Sequence, residues 1–103
     1  MAQINWTEQA KDDLLEIHDY LEASSERYAD FVIDTIIESA EQLQNFPRIG
    51  RVVPEMNNLS IRELIVLKHR VIYVITSLGI IEILTIRHSS RPLADTEIPP
   101  SGS

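Results

Sequence analysis

The apolar residues of this 103-residue chain change their repeat near Gly50. Before it, Ala10, Leu14, Ile17 and Leu21 recur at the three-and-four spacing of an amphipathic helix, with Leu15 and Tyr20 flanking. A second stripe of the same kind follows in Ala29, Val32, Ile33, Ile36, Ile37, Ala40 and Leu43. After Gly50, residues 61–66, 70–76 and 80–87 are runs of β-branched and aliphatic side chains, which suit a pleated surface. Two helices followed by strands in series place the chain in the α+β class, with the helical stripes buried against a sheet.

Local signals set the element ends. Thr7 stands where an N-cap is wanted, and Glu8 follows in the first turn, where a carboxylate meets the helix dipole favourably. Asp12, Asp13, Glu16 and Asp19 fall on the other faces of this helix and read as solvated. Ser24-Ser25 breaks the pattern and caps a second helix from Glu26, which Pro47 stops. So short a link predicts an antiparallel two-helix hairpin. Residues 3–6 suit an N-terminal edge strand and 51–53 a short strand, with 54–60 as a loop. Ser77-Leu78-Gly79 is a fair hairpin turn, whereas Leu67-Lys68-His69 lacks the Gly, Asn or Asp that turns favour. Strict alternation in the last strand puts Ile80, Glu82, Leu84, Ile86 and His88 on one face and Ile81, Ile83, Thr85 and Arg87 on the other. Two largely apolar faces call for cover on both sides. The hairpin supplies one cover and nothing else in the chain supplies the second, which points to a partner protein.

One domain over residues 1–93, with a flexible tail over 94–103 rich in proline and ending Ser-Gly-Ser, accounts for the whole length. The absence of cysteine excludes disulfides, thiolate zinc sites and cysteine nucleophiles. No Gly-rich phosphate loop, zinc spacing or serine-nucleophile motif is present, so neither a cofactor nor a metal is expected. No signal peptide is visible, and no apolar run approaches the roughly 20 residues needed to span a bilayer. The expectation is a cytoplasmic protein without membrane contact.

Charge is segregated along the chain. Residues 1–46 hold eleven acidic and two basic side chains, net −9. Residues 47–91 hold seven basic ones (Arg48, Arg51, Arg62, Lys68, Arg70, Arg87, Arg91) and three acidic ones, net +4, within a chain of formal charge −7. Such segregation leaves room for a local anion-binding face, or for arginines that merely solvate strand ends.

Several pieces then recur in a telling order: Trp6 with Ala10 and Asp13-Leu14 ahead of Tyr20; Phe46-Pro47-Arg48-Ile49-Gly50-Arg51; Val53-Pro54-Glu55; Ile61-Arg62-Glu63-Leu64; Arg70-Val71-Ile72-Tyr73; and Ile83-Leu84-Thr85-Ile86-Arg87-His88-Ser89-Ser90-Arg91. From about Ile4 to Leu93 the chain resembles the RelE/ParE toxins of bacterial type II toxin–antitoxin modules, also called plasmid-stabilisation proteins. The resemblance implies an N-terminal strand, a helical hairpin and a curled antiparallel sheet. It also implies growth arrest as the activity and a cognate antitoxin as the partner, with operator DNA engaged only through that antitoxin.

Metal-independent RNA cleavage needs a base for the 2′-hydroxyl proton, an acid for the leaving oxygen and cations for the phosphate. Glu55 and His88 are the acid–base candidates, with Arg70 completing a catalytic set. Arg51, Arg62, Arg70, Arg87 and Arg91 are candidates for holding phosphate or a target surface, because the guanidinium fork matches two phosphate oxygens. Adjacent strands give Arg70 and His88 a chance to share a cleft. Plainer readings stand beside these: Glu55 as a solvated loop carboxylate, Arg62-Glu63 as a local charge pair worth under ~1 kcal/mol when exposed, and His88 as a structural imidazole. In the RelE-like branch the target is mRNA on the ribosome, whereas in the ParE-like branch it is DNA gyrase and no catalytic residue is needed. Ser89 and Ser90 stand where ribonuclease members often carry a tyrosine, and the chain is acidic where ribosome-bound members are basic. The His88-Ser-Ser-Arg91 ending looks more like the ParE branch. A non-toxic binding homologue is the third reading.

Overall fold

The computed structural model describes residues 1–90; Arg91 and the expected tail lie outside them. The elements are β1 (Ile4–Trp6), α1 (Glu8–Glu22), α2 (Glu26–Glu41), a 3-10 turn (Gln42–Gln44), β2 (Arg51–Val52), β3 (Ile61–Val66), β4 (His69–Ile75) and β5 (Ile81–His88). One five-stranded sheet has the order β1-β5-β4-β3-β2. Strands β2 to β5 pair antiparallel, while β1 runs parallel to β5 with Ile4 opposite Ile81.

The helix starts are those read from the sequence. Thr7 Oγ1 accepts from Ala10 N at 3.2 Å, and Ser25 Oγ accepts from Tyr28 N at 3.1 Å. The Thr7 hydroxyl also donates to Ile83 O at 2.7 Å, so the cap that begins α1 fixes it to β5. Ala10, Val32, Ile36, Ala40 and Leu43 are buried with Val71, Tyr73, Ile81, Ile83 and Ile86, and Leu14, Ile17 and Leu21 pack against them. Fully burying an aliphatic side chain contributes about 1.5–3 kcal/mol, so this layer is the main source of stability. Helix α2 ends at Glu41, ahead of Pro47, because its last turn tightens into the 3-10 segment.

Three expectations are corrected. Part of the second sheet face is covered from within the chain, although Ile65 on it stays exposed. Val53, with no exposed surface, packs there with Ile72 and Leu84, and Met56, Ile61 and Val74 close around them. The end of the expected short strand, Val53, and Met56 in the loop after it therefore supply apolar cover there. Strict alternation also fails in β5. The register passes from Ile72 opposite Thr85 to Tyr73 opposite Ile83, leaving Leu84 as the extra residue of a bulge. Ile86 consequently joins Ile81 and Ile83 in the helix-side core, while Leu84 packs on the other side.

The third correction concerns Asp13. This carboxylate is not solvated; it is buried and accepts from Thr85 Oγ1 at 2.5 Å, Ile86 N at 3.0 Å and Gln9 Nε2 at 2.9 Å. A bulge disrupts the ladder locally, and Asp13 satisfies the Ile86 N–H just beyond it. The poor turn between β3 and β4 is formed all the same, with Leu67 in the left-handed region at φ 55°. Gly79 takes the positive φ, 78°, that the β4–β5 turn requires.

Candidate functional site

Register brings the first charged pair together. Arg51 on β2 stands opposite Glu63 on β3, and Arg70 on β4 stands opposite Ile65. Glu63 is thus the diagonal neighbour of Arg70 on the same face, a separation of roughly 7–8 Å that a long side chain spans. Arg51 Nε donates to Glu63 Oε2 at 2.6 Å, and Arg70 Nε donates to Glu63 Oε1 at 2.5 Å. Glu55, two residues beyond Val53, closes the array. It accepts from Arg70 Nη1 at 2.9 Å and Nη2 at 2.7 Å, a two-bond clasp. Arg51, Arg70 and Glu55, with Pro54, Ile65, Ser89 and Ser90, line a hollow of about 350 Å³.

Exposure grades outward through the array. The Glu63 side chain is 0 % exposed and that of Arg70 6 %, against 28 % for Glu55 and 60 % for Arg51. Each nitrogen of the Arg70 guanidinium donates to a carboxylate, and the four charges cancel. The hydrogen bonds to Glu55, then those to Glu63, raise the Arg70 pKa further above its already high ordinary value, so it stays cationic. An incoming anion meets a neutral array, not an open cationic fork.

The remaining candidates lie elsewhere. Arg62 alternates with Glu63 along β3 and stands opposite Tyr73, whose ring belongs to the helix-side core. Its Nη1 donates to Gly50 O at 2.9 Å and, more weakly, to Arg48 O at 3.4 Å. The Tyr73 hydroxyl donates to Pro47 O at 2.8 Å and accepts from Gly50 N at 3.0 Å. A Cβ on Gly50 would lie 2.6 Å from both that hydroxyl oxygen and Glu63 O, so only glycine fits. Arg62 therefore holds the 46–51 segment in place and does not share the hollow. The expected Arg62-Glu63 pair does not form, because neighbours on a strand point to opposite faces.

Nor do Arg70 and His88 face one cleft. His88 stands opposite His69 in the register, one residue beyond the Arg87–Arg70 pair. The two imidazoles meet edge-on, with centroids 5.7 Å apart at 76°. His88 Nδ1 bonds Ser90 Oγ at 2.8 Å and accepts from Ser90 N at 3.2 Å. Both rings line a second, larger groove of about 880 Å³ on the helix side, whose walls include Glu16, Tyr20, Leu21, Tyr28 and Lys68. Burial, then the nearby His88, lowers the His69 pKa, and His69 Nδ1 is buried without a hydrogen-bond partner among the described residues.

Glu63 and Asp13 are the buried charges that sequence reasoning missed. Glu63 had a signal: it shares the two-residue repeat of Ile61 and Ile65, so it belonged to an inward face on which only a cation makes a carboxylate tolerable. Asp13 had none, because its partners are created by a bulge 72 and 73 residues away.

A sequence model of the ParE toxin of type II toxin–antitoxin systems (parDE) matches residues 4–93. The chain belongs to the RelE/ParE toxin family. Toxin RelE2 of Caulobacter vibrioides is 33% identical to this RelE/ParE toxin over 91 residues, 88% of this chain and 99% of that protein. The structure titled as the chromosomal ParDE TA system from P. aeruginosa superposes with a TM-score of 0.70 at 24% identity, covering 85% of this chain and 96% of the other. The toxin–antitoxin complex RelBE2 from Mycobacterium tuberculosis gives 0.61 at 19% identity, covering 84% and 96%. These likenesses carry the fold: an α+β toxin with an N-terminal strand, two helices and a mostly antiparallel sheet. Among the described residues of this RelE/ParE toxin, no helix is long and apolar enough to cross a membrane.

Proposed function

We propose that this type II toxin arrests growth as a ParE-like inhibitor of DNA gyrase, held in check by a cognate antitoxin, and that it does not cut mRNA. The observation that carries the reading is the separation of the acid–base candidates. A cleavage site needs base, acid and phosphate cations around one reacting atom. Here Glu55 is engaged by Arg70, and His88 stands with His69 over the helix-side groove. The segregated charge supports the same reading, since a helical hairpin within a segment of net −9 repels a polyanion such as ribosomal RNA. The ParE sequence model that fits residues 4–93 is compatible with this reading, beside 33% identity to a RelE2 toxin. The antitoxin partner is supported by the two relatives, one titled as a ParDE system and the other as a RelBE2 complex.

The test is direct. Purified chain added to gyrase and relaxed plasmid is expected to block supercoiling and accumulate cleaved DNA, while mRNA on programmed ribosomes stays intact by primer extension. Ribosome-dependent cuts that Glu55→Ala and His88→Ala both suppress would assign the nuclease instead. Expression of the chain alone without any effect on growth would favour the non-toxic homologue.

A further inference from the structure

We propose that His18, Asp19 and Glu22 form a binding site for one divalent transition-metal ion of the zinc class on the helical hairpin, with Asp30 as its outer support. One ring nitrogen of His18 and one carboxylate oxygen each from Asp19 and Glu22 lie within 4.8 Å of one another. The imidazole, and the way it is held, set this group apart from a patch of surface acids. Its Nε2 meets Asp30 Oδ1 of α2 at 2.8 Å, which leaves Nδ1 as the nitrogen that faces Glu22 Oε2, at 3.4 Å. That separation exceeds the usual N–H···O hydrogen-bond length of about 2.7–3.2 Å. It is the length expected between two ligands of one zinc ion, since atoms about 2.0–2.2 Å from a tetrahedral centre stand roughly 3.4 Å apart.

The Asp30 contact is the support that a metal-binding histidine needs. A ligating imidazole donates its second N–H to a carboxylate, which fixes the tautomer and makes the nitrogen facing the metal more basic. Asp30 does this from α2, so an ion held on α1 also braces the two helices against each other. Charge favours the site. Two carboxylates neutralise a divalent cation, and residues 1–46 carry net −9, a field that concentrates cations. Access is open, with the His18 side chain 28 % exposed and that of Glu22 48 %. The donor set selects the metal, because imidazole suits zinc, nickel and copper, whereas magnesium and calcium take oxygen ligands. The His18-Asp19-Tyr20-Leu21-Glu22 spacing matches no thiolate or paired-histidine pattern, and α2 supplies the orienting residue, so nothing in the sequence announces the site.

The inference goes beyond the gyrase reading and stands or falls separately, because it is read on the isolated chain with neither gyrase nor ribosome present. Zinc chloride is titrated by calorimetry into the tag-free protein near neutral pH, with magnesium chloride as the control. One zinc ion per chain is expected to bind, and magnesium at least ~100-fold more weakly. Asp30→Ala removes the outer carboxylate alone and should weaken zinc roughly 10–100-fold, and His18→Gln and Glu22→Gln by at least as much. His69→Gln, which alters the histidine pair at the groove, is expected to leave zinc affinity unchanged. Zinc displaces the proton that Asp30 on α2, and Glu22 and Asp19 on α1, favour on His18. Wild-type affinity should therefore fall by about tenfold per pH unit once the imidazolium dominates. Saturating zinc should raise the melting temperature of the wild type but not that of His18→Gln. The proposal is overturned by the absence of saturable zinc binding to the wild type. It is equally overturned by zinc affinity that survives in Glu22→Gln and Asp30→Ala, both folded by circular dichroism, or that is lost with His69→Gln instead.

Discussion

Glu63 is a carboxylate with no exposed surface, and two guanidinium groups share it: Arg51 at 2.6 Å and Arg70 at 2.5 Å. Desolvating an ion costs several kcal/mol, which the pair offsets only while both partners remain. Glu63→Gln preserves the volume but leaves Arg70, 6 % exposed, with one charged partner in place of two. We expect this variant to lose about 3 kcal/mol of stability, the order found when a buried pair is broken, read from urea unfolding at neutral pH. Arg51→Gln should cost under ~1 kcal/mol, because the Arg51 side chain is 60 % exposed and water replaces much of what it gives. Near-equal losses in the two variants would mean that Arg51, not burial, holds the carboxylate. Tyr73 shows the same economy without charge. Burial raises its pKa, and its one hydroxyl serves both Pro47 O and Gly50 N.

Polar contacts of its own side chains tie α1 to two neighbouring elements. Asp13 joins α1 to the β5 bulge, and His18 joins α1 to α2, with Nε2 2.8 Å from Asp30 Oδ1 and Nδ1 3.4 Å from Glu22 Oε2. The hydrogen bond to Asp30, helped by the charges of Asp30, Glu22 and Asp19, raises the His18 pKa above its ordinary value of about 6.5. A raised histidine pKa stabilises the fold fully below the unfolded value, and the contribution fades as pH climbs through the folded one. His69 works in the opposite sense, since burial lowers its pKa and protonation opposes folding as pH falls below about 6.5. The melting-temperature gap between wild type and His18→Gln isolates the clamp from His69. That gap is expected to be largest in mildly acidic buffer and to close above neutrality. A gap that is flat with pH would show that Asp30 and Glu22 do not hold an imidazolium. The elements were legible in the sequence where their cause is local: Thr7 and Ser25 as caps, the α1 and α2 stripes, Gly79 in its turn. What was not legible is made by pairing across the fold. The Leu84 bulge shifts Ile86 to the helix side, the parallel placement of β1 depends on where β5 runs, and Met56 reads as loop until a sheet face lies beneath it.

At the scale of the whole molecule the sheet is a partition. One face carries the Arg51–Glu63–Arg70–Glu55 array and its hollow, while His88 and His69 line the groove beneath the helical hairpin. The sequence placed Glu55, Arg70 and His88 within one region of the chain; Glu55 and Arg70 meet, and alternation along a strand was enough to part His88 from them. Side chains that act on one reacting atom lose activity as a unit, so removing a second member costs little more. Side chains on separate surfaces combine independently, within about 0.3–0.5 kcal/mol when they share no partner. The gyrase reading therefore makes a quantitative demand on Arg51→Gln and His88→Gln. Measured as half-inhibitory concentrations against supercoiling, the two single losses are expected to multiply in the double variant, to within about twofold. A double variant no weaker than the worse single would mean that the arginine and the imidazole meet at one point on the target. The partition would then be a property of the free toxin alone, with the chain rearranging as it binds.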